Sequence, residues 1–273
     1  MEGAGVLSGG RLDGFLAEAY EKAVLRSRLL SSRPRGEGVG LASSIRRALS
    51  EGRPGLILEF KRCRPGGFVA YVSPWDFIAR LRDSVDGFSV LVEPYWFCGS
   101  LELLSFFASA QLPVLAKDFV VSEVQVEAYH ASGASDVLLI LDLVGWRRLE
   151  ALYEFARRLG LGVLVETSSG SDAVEVMASY PDALVGINAR DLVSLEASFD
   201  RLLREIGWAA ERKPASSILV AESSIDSFER AVALARGGAD ALLIGTWAMR
   251  DPGEVARLRD LLRGVIDGGG RGS

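Results

Sequence analysis

LILEFK, residues 56–61, is a run of six residues in which only the fourth and the last are charged. Its apolar composition is typical of a strand that is buried on both faces, as in a parallel sheet. Glu59 and Lys61 close the run two positions apart, so on a strand both side chains point the same way. The stretch therefore predicts a buried strand that brings one carboxylate and one ammonium group to a common place.

Seven further apolar runs follow, separated by segments whose apolar residues repeat every three or four positions, as they do in helices. Strand starts lie 21 to 34 residues apart. Eight alternations of strand and helix predict an α/β fold, a (β/α)8 TIM barrel. The predicted strands are Leu56–Lys61, Phe88–Glu93, Pro113–Lys117, Asp136–Leu141, Gly162–Glu166, Ala183–Asn188, Ser217–Glu222 and Asp240–Gly245.

Roughly fifty residues precede the first strand. They contain two predicted helices, about Leu12–Leu30 and Leu41–Glu51, which are too short to build a core of their own. We therefore expect one domain over residues 1–273, with an N-terminal helical extension at about 12–51 and the barrel at about 56–264. Residues 266–273, rich in glycine, are expected to form a disordered tail.

Composition narrows the classes of function. The net charge of −5 argues against nucleic acid as a partner, because phosphate neutralisation needs a clustered basic surface. No apolar run is long enough to cross a bilayer, and the N-terminus lacks the pattern of a signal peptide. We therefore expect a cytoplasmic protein, without a membrane partner, acting as a monomer or weak homo-oligomer.

The residues available for chemistry are few. Cys63 and Cys98 lack CxxC or metal-ligand spacing and are expected to be reduced thiols. His130 is the one histidine and falls at the end of a predicted helix, so a histidine base is nearly excluded. The chain has four lysines, and two of them, Lys61 and Lys117, end apolar runs. We expect no metal and no cofactor, and chemistry that rests on lysine and carboxylate groups.

Polar residues stand at almost every predicted strand end, where barrel active sites lie. Charged groups that converge on one mouth are costly to desolvate unless they are paired, so a full ring of them points to function. The strand ends carry Glu59 with Lys61, Glu93, Lys117 with Asp118, Glu166, Asn188 with Arg190, Glu222 with Ser223, and Gly245.

Seven strand-end motifs, in order along the chain, resemble those of the indole-3-glycerol-phosphate synthase family. The resemblance runs from about residue 12 to 255 and includes the N-terminal extension. The motifs are LEFKRCRPGG (58–67), VLVEPYWFCGS (90–100), LPVLAKDF (112–119), GVLVETSS (162–169), VGINARDL (185–192), LVAESSI (219–225) and ADALLIGTWAMRDP (239–252).

The resemblance implies the conversion of 1-(2-carboxyphenylamino)-1-deoxyribulose 5-phosphate to indole-3-glycerol phosphate, with loss of CO2 and water, in tryptophan biosynthesis. By motif position, Lys117 is the acid for ring closure. Lys61 is the acid for dehydration, and Glu59 is the base. Glu166 and Glu222 orient and tune the ammonium groups. The carboxylates would keep the lysines charged and burial would lower their pKa values, and the sequence does not decide between these effects.

The resemblance also implies binding residues for each part of the substrate. Asn188 holds hydroxyls, and Glu93 belongs to the same substrate-binding set. Phe97, Phe119, Pro65 and Leu192 are the predicted slot for the anthranilate ring. The predicted phosphate-binding residues are Arg190, Ser223, Ser224, Gly245, Thr246 and Arg64.

The sequence departs from the family pattern in the loops. Arg64-Pro65-Gly66 replaces the usual Ser-Pro-Ser, Ser224 stands where glycine is usual, and Val92 replaces the threonine before Glu93. Arg64 is hypothesised to give a second phosphate contact. The five predicted acid and base positions are intact, so these changes bear on affinity more than on chemistry.

Two alternatives remain open from the sequence. Another phosphosugar barrel, such as phosphoribosylanthranilate isomerase, would share the phosphate site, but it needs a Cys and an Asp as its acid and base. A barrel that binds a ligand without catalysis would account for the altered phosphate loops. In each case the expected partner is a small molecule.

Overall fold

The computed structural model describes residues 14–27, 40–188, 190 and 198–266. The strands are Gly55–Phe60 (β1), Cys63–Arg64 (β2), Phe68–Val69 (β3), Gly87–Leu91 (β4), Val114–Lys117 (β5), Asp136–Ile140 (β6), Gly162–Thr167 (β7), Leu184–Asn188 (β8), Ile218–Glu222 (β9) and Ala241–Ile244 (β10).

The helices alternate with the barrel strands, and two of them precede the barrel. They are Gly14–Ser27 (α1), Leu41–Ser50 (α2), Pro74–Leu81 (α3), Leu101–Ala108 (α4), Glu123–Ala131 (α5), Leu141–Arg158 (α6), Gly170–Ser179 (α7), Phe199–Ala210 (α8), Phe228–Arg236 (α9), Thr246–Arg250 (α10), Pro252–Val255 (α11) and Leu258–Leu261 (α12).

Eight parallel strands close into a barrel in the order β1-β10-β9-β8-β7-β6-β5-β4. β1 completes the ring, because Leu56 pairs with Leu242 of β10 on one side and Glu59 pairs with Ser89 of β4 on the other. All eight are the strands predicted from the apolar runs, so the (β/α)8 TIM barrel is confirmed. Parallel strands place all their carboxyl ends at one mouth of the barrel.

The barrel is buried on both faces. Every residue of β1 and β4 is buried, which explains why apolar runs mark these strands without alternation. On the outside of the barrel, α3 and α4 pack against β1 and β4 through a cluster of phenylalanines. The ring centroids of Phe60 and Phe77 lie 5.3 Å apart, and those of Phe88 and Phe107 lie 5.1 Å apart. These edge-on contacts add to the stabilisation from burial.

The two N-terminal helices cover opposite ends of the barrel. α2 buries Leu41 and Ile45, and the backbone N–H of Leu41 donates to the carboxylate of Asp136 at the start of β6, 3.0 Å away. α1 places Phe15 at the mouth, where its ring lies 5.3 Å from that of Trp96. Both helices predicted in the extension are therefore present within the described residues, as Gly14–Ser27 and Leu41–Ser50. Residues 12–13, 28–39 and 267–273 lie outside the described residues, and residue 266 of the expected tail forms part of a turn.

The expectation of reduced thiols is wrong. Cys63 and Cys98 form a disulfide with a Cα–Cα distance of 5.6 Å. The two cysteines are 35 residues apart and follow β1 and β4, which are neighbours in the barrel, so topology rather than a local motif brings them together. Closing a loop of this length stabilises a fold by about 4 kcal/mol in the chain-entropy description.

A small hairpin was not predicted either. β2 and β3 pair antiparallel directly after β1, with Cys63 opposite Val69 and Arg64 opposite Phe68. Two-residue strands are too short to produce a recognisable alternation in the sequence. The hairpin lies beside the barrel mouth and carries Arg64 toward it.

Arg53 is fully buried just before β1, and its ion pair provides a test of what stabilises this end of the barrel. Its guanidinium donates to both carboxylate oxygens of Asp86, at 2.7 and 2.9 Å. Arg53→Ala should lower the free energy of unfolding by about 3–5 kcal/mol, because Asp86 is left buried without its cation. Denaturant unfolding measures this loss.

Arg212 is a matched control for Arg53, since it pairs with Glu211 on the surface. Arg212→Ala should cost less than about 1 kcal/mol, because exposed ion pairs contribute little. Equal losses for the two variants would show that the Arg53–Asp86 pair does not hold this end of the barrel.

Candidate active site

A cavity of about 470 Å³ opens at the carboxyl-terminal mouth of the barrel. All the predicted site residues line it except two: Glu222, which accepts a hydrogen bond from Lys117, and Leu192, which falls outside the described residues. The predicted residues that line it are Glu59, Lys61, Arg64, Pro65, Glu93, Phe97, Lys117, Phe119, Glu166, Asn188, Arg190, Ser223, Ser224, Gly245 and Thr246.

Glu59 lies between the two lysines of the mouth. Its side chain is buried, and Lys61 Nζ donates to Oε1 at 2.6 Å. The other oxygen, Oε2, lies 3.5 Å from Lys117 Nζ. The same-face prediction for Glu59 and Lys61 is therefore confirmed, and the carboxylate joins two ammonium groups that are 56 residues apart in the chain (117 minus 61).

Lys117, at the end of β5, is surrounded by carboxylates. Its Nζ donates to Oε2 of Glu222 at 2.8 Å, and Oε2 of Glu166 lies 3.7 Å away. Together with Glu59, three acidic groups from β1, β7 and β9 face one ammonium group. A buried cation with this surrounding is fixed in position and stays charged.

The two lysines have opposite electrostatic environments. Burial lowers the pKa of Lys61, and the carboxylate of Glu59 offsets this effect only in part. The positive charges of Lys117 and Arg190 lower the pKa of Lys61 further. Burial also acts to lower the pKa of Lys117, but the carboxylates of Glu222, Glu59 and Glu166 outweigh it and raise that pKa. The competition left open by the sequence is thus decided differently at each lysine.

The carboxyl groups are tuned as well. Burial acts to raise the pKa of Glu59, but Lys61 and Lys117 outweigh it and lower that pKa. Burial raises the pKa of Glu222 to about 8, with Glu166 adding to the rise and Lys117 opposing it. Glu59 is therefore a carboxylate at neutral pH, whereas burial makes Glu222 easier to protonate than an exposed glutamate.

Two glycines make room for this cluster. A Cβ at Gly186 would lie 2.1 Å from Oε1 of Glu222. A Cβ at Gly245 would lie 2.4 Å from Oε1 of Glu59 and 2.7 Å from Nζ of Lys61. The predicted strand-end Gly245 therefore serves first to admit the Glu59–Lys61 pair.

Asn188 ties neighbouring strand ends together. Its Oδ1 accepts from Ser223 Oγ at 2.7 Å and from the backbone N–H of Arg190 at 3.0 Å. Because the oxygen is used in this way, the amide nitrogen is the part of Asn188 that can donate to a ligand.

One side of the cavity is suited to an anion. Burial lowers the pKa of Arg190, and the nearby positive charge of Arg64 lowers it further. Two guanidinium groups that repel each other are stabilised when an anion binds between them. Arg230 also lines the cavity, where its Nη1 donates to both carboxylate oxygens of Asp226, at 2.8 and 2.9 Å, and to the backbone carbonyl of Ser224 at 3.3 Å.

Ser223 and Ser224 adopt the left-handed conformation, with φ values of 68° and 56°. Glycine favours this conformation and a side chain makes it costly. The loop thus keeps at Ser224 the backbone that glycine would give, despite the added Cβ.

Aromatic rings form the opposite wall. The ring centroids of Phe97 and Phe119 lie 6.4 Å apart, and Phe15 of α1 lies 5.8 Å from Phe119. Pro65 lines the same cavity. The predicted apolar slot therefore has a member that the sequence interpretation missed, Phe15, because strand-end rules do not locate a helix of the N-terminal extension.

Glu93 lines the cavity, but its carboxylate is engaged by its own loop. Oε1 accepts from the N–H of Tyr95 at 3.0 Å, and Oε2 accepts from the N–H groups of Trp96 and Phe97 at 2.5 and 3.2 Å. A carboxylate that binds three backbone donors fixes the loop that carries Phe97. Direct substrate binding by Glu93 stays a prediction.

Several lining residues lie away from strand ends and were missed for that reason. Arg230 lies within α9 and Arg250 ends α10, so both reach the mouth from helices. Trp247 also belongs to α10. His130 lies near the end of α5, as predicted, and is not among the lining residues.

The sequence matches the family described as Indole-3-glycerol phosphate synthase over residues 21–261. The chain belongs to this family. The synthase of Aeropyrum pernix is 41% identical over 246 residues, covering 88% of this chain and 94% of that protein. The synthase of Sulfurisphaera tokodaii is 34% identical and covers 90% and 98%. The resemblance drawn from the strand-end motifs is therefore confirmed. The prediction of a carboxy-lyase of tryptophan biosynthesis is confirmed with it.

Solved structures with little sequence similarity share the fold. The tryptophan synthase alpha subunit of Legionella pneumophila aligns with a TM-score of 0.56 at 12% identity, covering 84% of this chain and 97% of that one. Orotidine 5'-phosphate decarboxylase of Pyrococcus horikoshii gives 0.55 at 12% identity, covering 78% and 100%. At such low identity, the likeness supports the barrel alone.

Among the helices of the described ranges, none combines the length and apolar character that a membrane span requires.

The opposite pKa shifts of Lys61 and Lys117 can be measured directly, because the chain has four lysines. With lysine labelled at Nζ, NMR should show Lys61 losing its proton below the ordinary lysine pKa of 10.5, because its lowered pKa favours the neutral amine. Lys117 should keep its proton at higher pH than Lys61. Loss of one signal in Lys61→Met and of another in Lys117→Met assigns the two.

Glu222→Gln tests whether neighbouring carboxylates cause the raised pKa of Lys117. It removes a negative charge from Lys117 without changing the shape of the side chain, so the pKa of Lys117 should fall while that of Lys61 changes less. Identical titration of Lys61 and Lys117 in the unmodified chain would contradict the electrostatic picture of the mouth.

Proposed function

We propose that the synthase reaction takes place at this mouth, with 1-(2-carboxyphenylamino)-1-deoxyribulose 5-phosphate bound between the aromatic wall and the arginine side. The observation that carries the proposal is the bridge of Glu59 between Lys61 and Lys117 in the cavity. Two acids that share one base suit a reaction that needs two proton donations and one proton removal.

Ring closure is assigned to Lys117. A carbon of the anthranilate ring attacks the ketone carbon, a carbon–carbon bond forms, and the carbonyl oxygen gains negative charge. The ammonium of Lys117 donates a proton to that oxygen. Its raised pKa keeps the group charged before the reaction, and Glu222 at 2.8 Å holds it in place.

Decarboxylation follows on the aromatic side of the cavity. The bond to the carboxylate breaks, CO2 leaves, and the electron pair restores the aromatic ring. Phe97 and Phe119 offer this part of the substrate an apolar environment, which favours the neutral product over the carboxylate. Before this bond breaks, the substrate carboxylate is held by a cation, and this role is assigned to Lys61.

Dehydration is assigned to Lys61 and Glu59. Lys61 donates a proton to the leaving hydroxyl, and its lowered pKa makes it the stronger acid of the two lysines. Glu59 removes the proton from the substrate. Since Lys61 Nζ and Glu59 Oε1 are 2.6 Å apart, the proton can return from Glu59 to Lys61 and restore both groups.

Substrate binding is assigned to the remaining lining residues. Arg190, with Arg64 and the turns at Ser223-Ser224 and Gly245-Thr246, is proposed to hold the phosphate. Asn188 is proposed to donate to a hydroxyl through its amide nitrogen. Pro65, with the two phenylalanines, is proposed to hold the anthranilate ring, and Leu192 stays a predicted member of that slot.

The alternatives left open by the sequence have less support. An isomerase of this fold would need a cysteine as acid or base, and the sulfur of Cys63 is bonded to Cys98. A barrel that only binds would not need Glu59 and Lys61 as a donor–acceptor pair. The cytoplasm stays the predicted compartment, although the disulfide removes reduced thiols as an argument for it, and monomer or weak homo-oligomer stays a prediction.

Lys117→Ala tests the proposed function. With the deoxyribulose phosphate substrate, the unmodified chain should produce the absorbance and fluorescence of an indole in a single turnover. The variant should lower kcat by about two to four orders of magnitude, with a modest change in substrate binding, because the lost proton donation occurs in the transition state.

Lys213→Ala is the matched control, because Lys213 forms another buried ion pair, with Asp240. It should cost stability but leave kcat of the folded protein near that of the unmodified chain. Absence of indole from the unmodified chain would contradict the proposed function, and near-full turnover of Lys117→Ala would contradict the role of Lys117.

A further inference from the structure

The Cys63–Cys98 disulfide joins two loops that form part of the cavity wall. Cys63 begins the hairpin after β1, and Arg64 follows it directly. Cys98 ends the turn after β4, and Phe97 precedes it directly. Both Arg64 and Phe97 line the cavity, so the covalent bond lies between a proposed phosphate ligand and a ring of the aromatic slot.

The hairpin has few internal means of holding Arg64 in place. Its strands are two residues long, and Gly66 and Gly67 at its tip have φ values of 89° and 87°. A backbone hydrogen bond from Cys63 N to Phe97 O, 3.3 Å long, also joins the two loops. Short pairing and a glycine tip give low local stability, so a covalent link to the next loop has a large effect on position.

The second loop is better organised but strained at the disulfide. Glu93 binds the N–H groups of residues 95–97, which fixes the turn up to Phe97. Cys98 itself has a φ of 53°, in the left-handed region that costs a side-chain-bearing residue free energy. Once the sulfur is released, Cys98 is free to leave this conformation, and the hairpin loses its covalent link to this loop.

The disulfide is open to reagents. Cys98 is exposed and Cys63 is half-buried. Because Cys98 is exposed, we expect a dithiol to reach the disulfide from solvent without unfolding of the barrel. Access of this kind distinguishes disulfides that exchange from those buried in a core.

We propose that the Cys63–Cys98 disulfide is a positioning element of the active site, and that its reduction by a dithiol weakens substrate binding. The inference rests on the proposed function, because Arg64 and Phe97 matter only if the substrate binds between them. Glu59 and Lys117 lie on barrel strands, so reduction should leave the chemical groups in place and act on binding.

The exchange with a dithiol proceeds in two steps. One thiolate of the dithiol attacks the Cys98 sulfur, the S–S bond breaks, and Cys63 leaves as a thiolate that takes a proton. The second thiol of the dithiol loses its proton and displaces Cys98 from the mixed disulfide, and the Cys98 thiolate is protonated in turn. The dithiol ends as a cyclic disulfide, and its two electrons have passed to Cys63 and Cys98.

The test compares oxidised and dithiothreitol-reduced forms of the whole protein. Thiol titration after unfolding should find none in the oxidised form and two in the reduced form, since the chain has two cysteines. Steady-state kinetics should then show KM about tenfold higher after reduction, with kcat changed less than about threefold, since loss of loop positioning removes binding shared by ground and transition states.

Three variants separate positioning from general damage. Cys63→Ser combined with Cys98→Ser should show the raised KM with or without dithiothreitol. Arg64→Ala should already have a raised KM, and reduction should add less to it than in the unmodified chain. Arg62→Ala removes an exposed neighbour that does not line the cavity and should respond to reduction like the unmodified chain.

Hydrogen exchange provides a readout independent of turnover. Reduction should speed amide exchange in residues 62–70, while residues 218–222 of β9 stay unchanged. Equal KM values for the two redox forms, or two free thiols before any reductant is added, would overturn the inference. If neither form turns over, the proposed function fails, and unchanged exchange in 62–70 would then overturn the positioning role separately.

Discussion

The bridge of Glu59 between Lys61 and Lys117 is the interaction on which the rest of the proposed active site depends. Each carboxylate oxygen faces a different ammonium group, at 2.6 and 3.5 Å. A buried carboxylate of this kind is stable because two cations compensate its desolvation, and each cation in turn depends on it. Gly245 gives the pair space, since any side chain there would meet Glu59 and Lys61.

The barrel explains why two lysines of one enzyme can have different acid strengths. Lys117 ends β5 and receives carboxylates from three other strands, whereas Lys61 has one carboxylate and lies nearer to the arginine side. The difference follows from strand order rather than from the lysines themselves. It matches a reaction in which one donor must stay charged and the other must release its proton readily.

Much of this arrangement could be predicted from the sequence, because parallel strands are apolar throughout and end at one mouth. Strand ends therefore located Glu59, Glu166 and Asn188 without any coordinates. The disulfide could not be predicted in the same way, since strand order brings together cysteines 35 residues apart. Phe15 was missed because no local pattern tells where the N-terminal extension packs. The directions of the lysine pKa shifts depend on distances between strands, which a sequence does not contain.

The most direct test of the account is single-turnover analysis of Glu59→Gln, following carboxyl-labelled substrate to CO2 and to indole in the same reaction. Glutamine keeps the shape of Glu59 and removes its ability to accept a proton. Because Glu59 also faces Lys117, CO2 release should slow in the variant. If Glu59 is the base for dehydration, indole formation should slow more than CO2 release, and the decarboxylated intermediate should accumulate. Equal slowing of CO2 release and indole formation would contradict the division of work between the two lysines.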